Sequence, residues 1–121
     1  MSGDTQEGEF VFIYTTLPSM AAAEAMGQAL VAEKLAACVN IYPGLRSVYE
    51  WDGEVTVEAE VAGFIKTRAA LVDEAMARLS ELHPYGVPAM LVLPILAGNT
   101  DYLTWARGQV KGITGPNSNS S

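Results

Sequence analysis

Cys38 and His83 are the only cysteine and the only histidine in the chain, and their types are the most reactive it carries. A thiolate and an imidazole together suit copper or zinc. One such pair is two donors short of a tetrahedral shell, so a third donor or a neighbouring copy is required. The same residues read equally well as structural ones: Cys38 as a small buried hydrophobe, His83 as a helix C-terminal residue favoured by the dipole. Glu50, Asp52, Glu54, Glu58 and Glu60 form an acidic run. The first four read as a solvated hairpin face that would attract divalent cations weakly through oxygen. Glu60 differs, because it lies nearer the core and on the strand face of Lys66. With Lys66, Arg68 and Tyr85 it would line a small polar cleft, or take part in an ion pair between subunits. There is no glycine-rich phosphate loop, no Ser/His/Asp set and no HExxH phrase. An enzyme is not expected, and no organic cofactor is indicated.

These residues need elements to position them. Phe10–Thr16 is a continuous apolar and β-branched run, the pattern of a buried central strand. Pro18 and Ser19 then open a helix predicted over Ala21–Ala36, with Ala23, Met26 and Leu30 on one face. Cys38–Tyr42 switches to strand chemistry, Pro43-Gly44 interrupts it, and Leu45–Trp51 resumes it. Asp52-Gly53 is a strong hairpin signal. The period-two alternation of Val55, Val57, Ala59 and Val61 continues the return strand to Lys66-Thr67. Leu71, Val72, Ala75, Met76, Leu79 and Leu82 make a second helical stripe. His83–Pro88, with two prolines and a glycine, is a turn. Met90–Ile95 is the last strand, with Pro94 marking an edge, and Asn99 caps a short helix through Trp105.

The predicted order is β-α-β-β-α-β plus one helix, an α+β arrangement of the ferredoxin-like kind with an antiparallel sheet. In such a fold Cys38 starts the second strand and His83 ends the second helix at the opposite end of the sheet. A copper site using both would therefore span two subunits. If the Pro43 break is a bulge, the hairpin strands run about 14 residues each and at ~3.3 Å per residue reach roughly 45 Å; if it ends the strand, they are shorter and the aromatics cap the local core. A globule of this length is only about 35 Å across. The tip, with Val48, Tyr49, Trp51, Val55 and Val57, should project and pack on a neighbouring copy.

With 121 residues there is room for one domain, expected over 9–110, between disordered ends at 1–8 and 111–121. Half the residues are hydrophobic and 17% are charged, with a net charge of −7. That balance supports a packed core and argues against nucleic acid, which needs clustered Lys and Arg. No run approaches the ~20 apolar residues of a membrane span, and no leader is visible at the start. A single cysteine gives no reason to expect an oxidising compartment.

Several spaced phrases coincide with one family. They are Lys34-Leu35-Ala36-Ala37-Cys38-Val39-Asn40, Pro43-Gly44, Ser47, Tyr49, Trp51 and Gly53, then Glu60, Lys66-Thr67, His83-Pro84-Tyr85 with Pro88, and Leu93-Pro94-Ile95. From about Phe10 to Arg107 the sequence resembles the CutA proteins, named for divalent-cation tolerance. The resemblance implies a ferredoxin-like homotrimer similar in architecture to the PII signalling proteins, with long strands joining the subunits. It further implies association with copper or other divalent ions, a response to metal ions, and a cytoplasmic location. The alternative it carries is a PII-like trimer taking a small anionic ligand or a protein partner at intersubunit clefts near Trp51, Glu60, Lys66 and Tyr85. Two positions depart from the family pattern. Tyr14 stands where some members have a metal-ligating cysteine, and Ala89 stands where many have a carboxylate.

Overall fold

A computed structural model describes Gly3–Asp4 and residues 9–112. Strand β1 (Phe10–Leu17) leads into helix α1 (Met20–Ala32). Strands β2 (Cys38–Trp51) and β3 (Glu54–Arg68) form the hairpin. A short 3-10 turn at Ala69–Leu71 precedes helix α2 (Val72–Leu82), then strand β4 (Leu91–Ile95) and helix α3 (Thr100–Gln109). The sheet order is β2-β3-β1-β4, and every pairing is antiparallel. Pro94 lies on an edge strand, the place in a sheet that tolerates proline.

The sheet has two unlike faces. Ile13, Leu17, Val61 and Ile65 pack under α1 and α2 with Met26, Leu30 and Leu79, all essentially out of solvent. The fit at Gly63 is close: a Cβ would sit 3.3 Å from the Met26 methyl and 3.4 Å from Leu17, so those side chains would have to give by a few tenths of an ångström. The opposite face carries Phe12, Phe64 and Tyr14, with Phe64 meeting Phe12 edge to face and Tyr14 at a tilt. Helix α3 covers one end of that face, burying Phe10 with Leu103 and Ala106.

Several boundaries differ from the sequence reading. Helix α1 stops at Ala32, because Lys34 adopts φ 64° and turns the chain toward β2. The Ser19 hydroxyl caps its start, accepting from Ala22 N–H at 3.1 Å. Helix α3 runs past Trp105 to Gln109, and Val110 behind it is buried. Lys111 donates its backbone N–H to the Lys34 carbonyl at 2.9 Å. Gly3–Asp4 pairs with Gly98–Asn99. The rest of the expected loose ends, 1–2, 5–8 and 113–121, lie outside the described residues.

The hairpin strands span 14 and 15 residues, and the Pro43-Gly44 interruption is a bulge within one continuous strand. Tyr42 pairs with Ala62 and Leu45 with Glu60, so β2 spends one residue more than β3. That extra residue inverts the alternation. Before it the even-numbered residues of β2 share a face with the even-numbered residues of β3; after it the odd-numbered ones do. Ser47, Tyr49 and Trp51 are thereby brought onto the face of Glu58 and Glu60. At the tip Asp52 and Gly53 both have positive φ, 55° and 81°, as a two-residue turn between twisted strands demands. Gly53→Ala should cost about 1 kcal/mol, read as a lower urea midpoint with unchanged slope.

Candidate functional site

Along the outer half of the hairpin the sheet face opposite α1 and α2 opens into a cavity of about 560 Å³. Its floor is strand: Thr16 from β1, Tyr49 and Trp51 from β2, Thr56, Glu58 and Glu60 from β3. Its far wall is the turn after α2, which contributes Tyr85, Val87 and Ala89. The charged side chains of this lining are Glu58 and Glu60. Among the described residues no lysine or arginine contributes to it.

Glu60 is fixed from both sides. Its Oε1 accepts from the Ser47 hydroxyl at 2.5 Å, and its Oε2 from the Tyr85 hydroxyl at 2.6 Å. Burial alone would push this carboxyl up, but hydrogen bonds from Ser47, Tyr85 and Thr16, with the nearby His83, outweigh it and hold it below its ordinary 4.5. The hydrogen-bond partners of this carboxylate are thus hydroxyl groups. Burial and then the Glu60 carboxylate push the Tyr85 hydroxyl far up. A hydrogen bond to Glu58 raises Tyr49 in the same way. Both phenols therefore stay protonated and donate.

A pH dependence follows. Since the folded value of Glu60 lies below the unfolded one, its contribution is present above about pH 4.5 and is lost as pH falls through the folded value. Wild type and Glu60→Gln should differ in melting temperature at neutral pH and converge in acid.

His83 builds the far wall. It is buried, ends α2, and makes hydrogen bonds through both ring nitrogens. The Tyr85 backbone N–H donates to Nδ1 at 3.2 Å, so that nitrogen carries no proton. Nε2 must then be the N–H, and it donates to the Thr16 carbonyl at 2.8 Å with the Thr15 hydroxyl 3.2 Å away. The imidazole also lies against the Tyr85 ring, with centroids 4.9 Å apart. Neither nitrogen is free for a metal unless one of these bonds opens.

The sequence-predicted residues divide into two groups. Trp51, Glu60 and Tyr85 all line the cavity, Glu60 and Tyr85 in contact and Trp51 at its outer end. Lys66 does not: on β3 it lies six residues from Glu60, about 20 Å along the strand. Its ammonium donates to the Tyr102 hydroxyl at 2.7 Å and sits over the Phe12 and Tyr102 rings. Arg68 is further along still, paired with Glu9 at 3.3 Å. Cys38 is the register partner of Lys66 at that same far end, whereas His83 grips Thr16, whose partner Ala62 is four residues, about 13 Å, away along β3. One chain does not bring Cys38 and His83 together. Among the described residues no group of three or more His, Cys, Asp and Glu side chains is placed to hold a metal ion. Ser47, Thr16 and Glu58 are the cavity residues that sequence reasoning undervalued. Only recognition of the bulge would have put Ser47 beside Glu60.

Residues 11–109 match the family model described as CutA1 divalent ion tolerance protein. Over 95 residues the chain is 45% identical to the divalent-cation tolerance protein CutA of Thermus thermophilus, covering 78% of this chain and 92% of that one. It is 41% identical over 101 residues to the chloroplastic protein CutA 1 of rice, covering 84% of this chain but only 57% of the rice protein. Among solved structures, CutA1 from rice superposes with a TM-score of 0.83 at 39% identity, covering 87% and 96% of the two chains. CutA from Xylella fastidiosa gives 0.82 at 37% identity, covering 85% and 99%. A structure from Archaeoglobus fulgidus titled as periplasmic gives 0.81 at 35% identity and covers 84% and 99%. Relatives are thus named for different compartments. No helix among the described residues is long and apolar enough to cross a membrane.

Proposed function

This chain belongs to the CutA1 divalent ion tolerance family, and from that premise we propose that it is a non-catalytic homotrimer that binds divalent cations. Its site is the hairpin cavity, completed by a second copy. The observation that carries this reading is the charge of the lining, where, among the described residues, Glu58 and Glu60 stand with no lysine or arginine beside them. Two carboxylates fall short of the six to eight oxygens that a hard cation prefers. A neighbouring copy seated on the exposed hairpin would supply more.

The same lining argues against the small anionic ligand of the alternative reading, which would meet two like charges. Copper(II) remains the tightest of the first-row divalent ions here, because the affinity order at oxygen and nitrogen sites peaks at copper. It reaches the cavity without recruiting Cys38 or breaking the bonds of His83.

The trimer rests on the hairpin and on the sheet edges. β2 and β4 are the two outer strands, and a contact between unlike edges is heterologous, closing into a ring when the rotation allows. The aromatic row on the second face, with exposed Leu91 and Leu93 beside it, would line the inside of such a ring.

A thermal-shift screen on metal-stripped protein tests the function. Ligands that prefer the native state raise the melting temperature. Copper(II) and zinc should raise it, while nucleotides and other small anions should not. Stabilisation by anions alone would overturn the reading.

A further inference from the structure

Strand β2 is an outer strand of the sheet along its whole length. Its 14 residues reach about 45 Å, whereas β4, the other outer strand, has five and reaches about 16 Å. A neighbour's β4 laid along β2 therefore covers about a third of it, and the exposed hairpin seats that neighbour on Leu45–Trp51. The Pro43-Gly44 bulge separates this outer part from Cys38–Tyr42, whose outer side no described strand pairs. Sheet edges are commonly blunted by charge, by proline or by a covering element. Cys38-Val39-Asn40-Ile41-Tyr42 contains no charged residue and no proline.

Beside this edge, on the sheet face opposite the hairpin cavity, lies a groove of about 640 Å³. Val39 and Ile41 of β2 form one side of it, and Glu24, Gly27, Gln28 and Val31 of α1 contribute to the other. Gly27 lets the helix sit close against the strand, since a Cβ there would stand 3.3 Å from Val39. Val31 is 42% exposed and Val39 and Ile41 are half-buried, apolar surface that a strand added to the free edge would cover. Such a strand sends every second side chain to this same face. Two apolar side chains at i and i+2 would then fall beside Val39 and Ile41, against Val31. The favoured charge is also set. Among the described residues, Glu24 is the charged member of the lining and makes no ion pair, and the whole chain carries −7. A basic residue is drawn to this groove and an acidic one repelled.

We propose that the groove between α1 and Cys38–Tyr42 takes an extended, basic segment of a partner protein as an added strand. Its alternate apolar side chains lie beside Val39 and Ile41, and a Lys or Arg points to Glu24. The bulge sets the length of the segment, because five residues of edge precede it. Groove and carboxylate cavity lie on opposite faces of the sheet, so partner binding and metal binding are separable.

The probe is the fluorescein-labelled peptide amide Lys-Thr-Val-Thr-Val-Thr-Lys, titrated with the metal-stripped full chain and followed by fluorescence anisotropy. It should bind saturably. Replacing its lysines by glutamates should weaken binding several-fold, by a factor that shrinks as salt is added. An added strand pairs through every second N–H, so N-methylation of the two valines and N-methylation of the threonines should act differently. One pattern should weaken binding at least about tenfold, as loss of two hydrogen bonds requires, and the other should leave it nearly unchanged. Val31→Glu should weaken the lysine peptide several-fold, and Glu24→Lys should reverse the preference between the two peptides. Both positions are exposed on α1, so circular dichroism and copper(II) affinity should stay as in wild type. No saturable binding, or equal effects of the two methylation patterns, overturns the proposal. Further association of wild-type trimers that Val31→Glu abolishes would also overturn it, by making a second copy the occupant.

Discussion

Light scattering on a sizing column should return three times 12.9 kDa for the intact chain, and Trp51→Asp should shift that mass toward the single chain. The argument is geometric. Strands of 14 and 15 residues reach about 45–50 Å, well beyond the ~35 Å breadth of a domain this size. At the far end Trp51 is 72% and Val55 75% exposed in the isolated chain, and single chains rarely leave such a patch in water. An aspartate at position 51 would be buried unpaired in any contact made there, at a cost of several kcal/mol. The substitution touches nothing in the core, so the circular dichroism of the resulting species should be unchanged. A monodisperse wild-type monomer at micromolar concentration would remove the basis for a shared site.

His83→Ala is the second large effect. Removing the imidazole strips the Thr16 carbonyl and the Tyr85 N–H of their partners in a buried place. Loss of these bonds and of the ring's packing should destabilise the fold by roughly 2–3 kcal/mol. For a domain of this size that lowers the melting temperature by about 10 °C. The wall carrying Tyr85 should loosen with it, weakening the hydroxyl's grip on Glu60 and with it cation binding. His83→Gln, which keeps a donor and an acceptor, should recover part of both. A variant that kept its melting temperature but lost copper would instead identify His83 as a ligand.

The elements were legible in the sequence because their signals are local. The apolar run of Phe10–Thr16, the helical stripe ending at Leu82 and the Asp52-Gly53 turn each report on their own neighbourhood, and each forms where expected. The bulge at Pro43-Gly44 was legible as an interruption. Its consequence was not, because a change of strand parity shows only once register partners are known. For the same reason Lys66 was grouped with Glu60: matching parity on β3 gives a shared face and says nothing about the 20 Å between them. His83 misled in a different way. An imidazole suits a metal, a helix end or a hydrogen-bonded strut equally well, and only the positions of the Thr16 carbonyl and Tyr85 N–H decide among these. Glu60 was recognised as unlike its acidic neighbours, yet its anchors, Ser47 and Tyr85, come from β2 and from the turn after α2, which no spacing rule connects.

The central claim is that divalent ions are held by the carboxylates of the hairpin cavity rather than by Cys38 and His83. Copper(II) titration of metal-stripped wild type, Glu60→Gln and Cys38→Ser, followed calorimetrically at neutral pH, tests it most directly. The account predicts that Cys38→Ser binds as wild type does, while Glu60→Gln loses at least about tenfold in affinity, as removal of a charged oxygen donor should cause. Retention of full affinity by Glu60→Gln, together with its loss in Cys38→Ser, would contradict it.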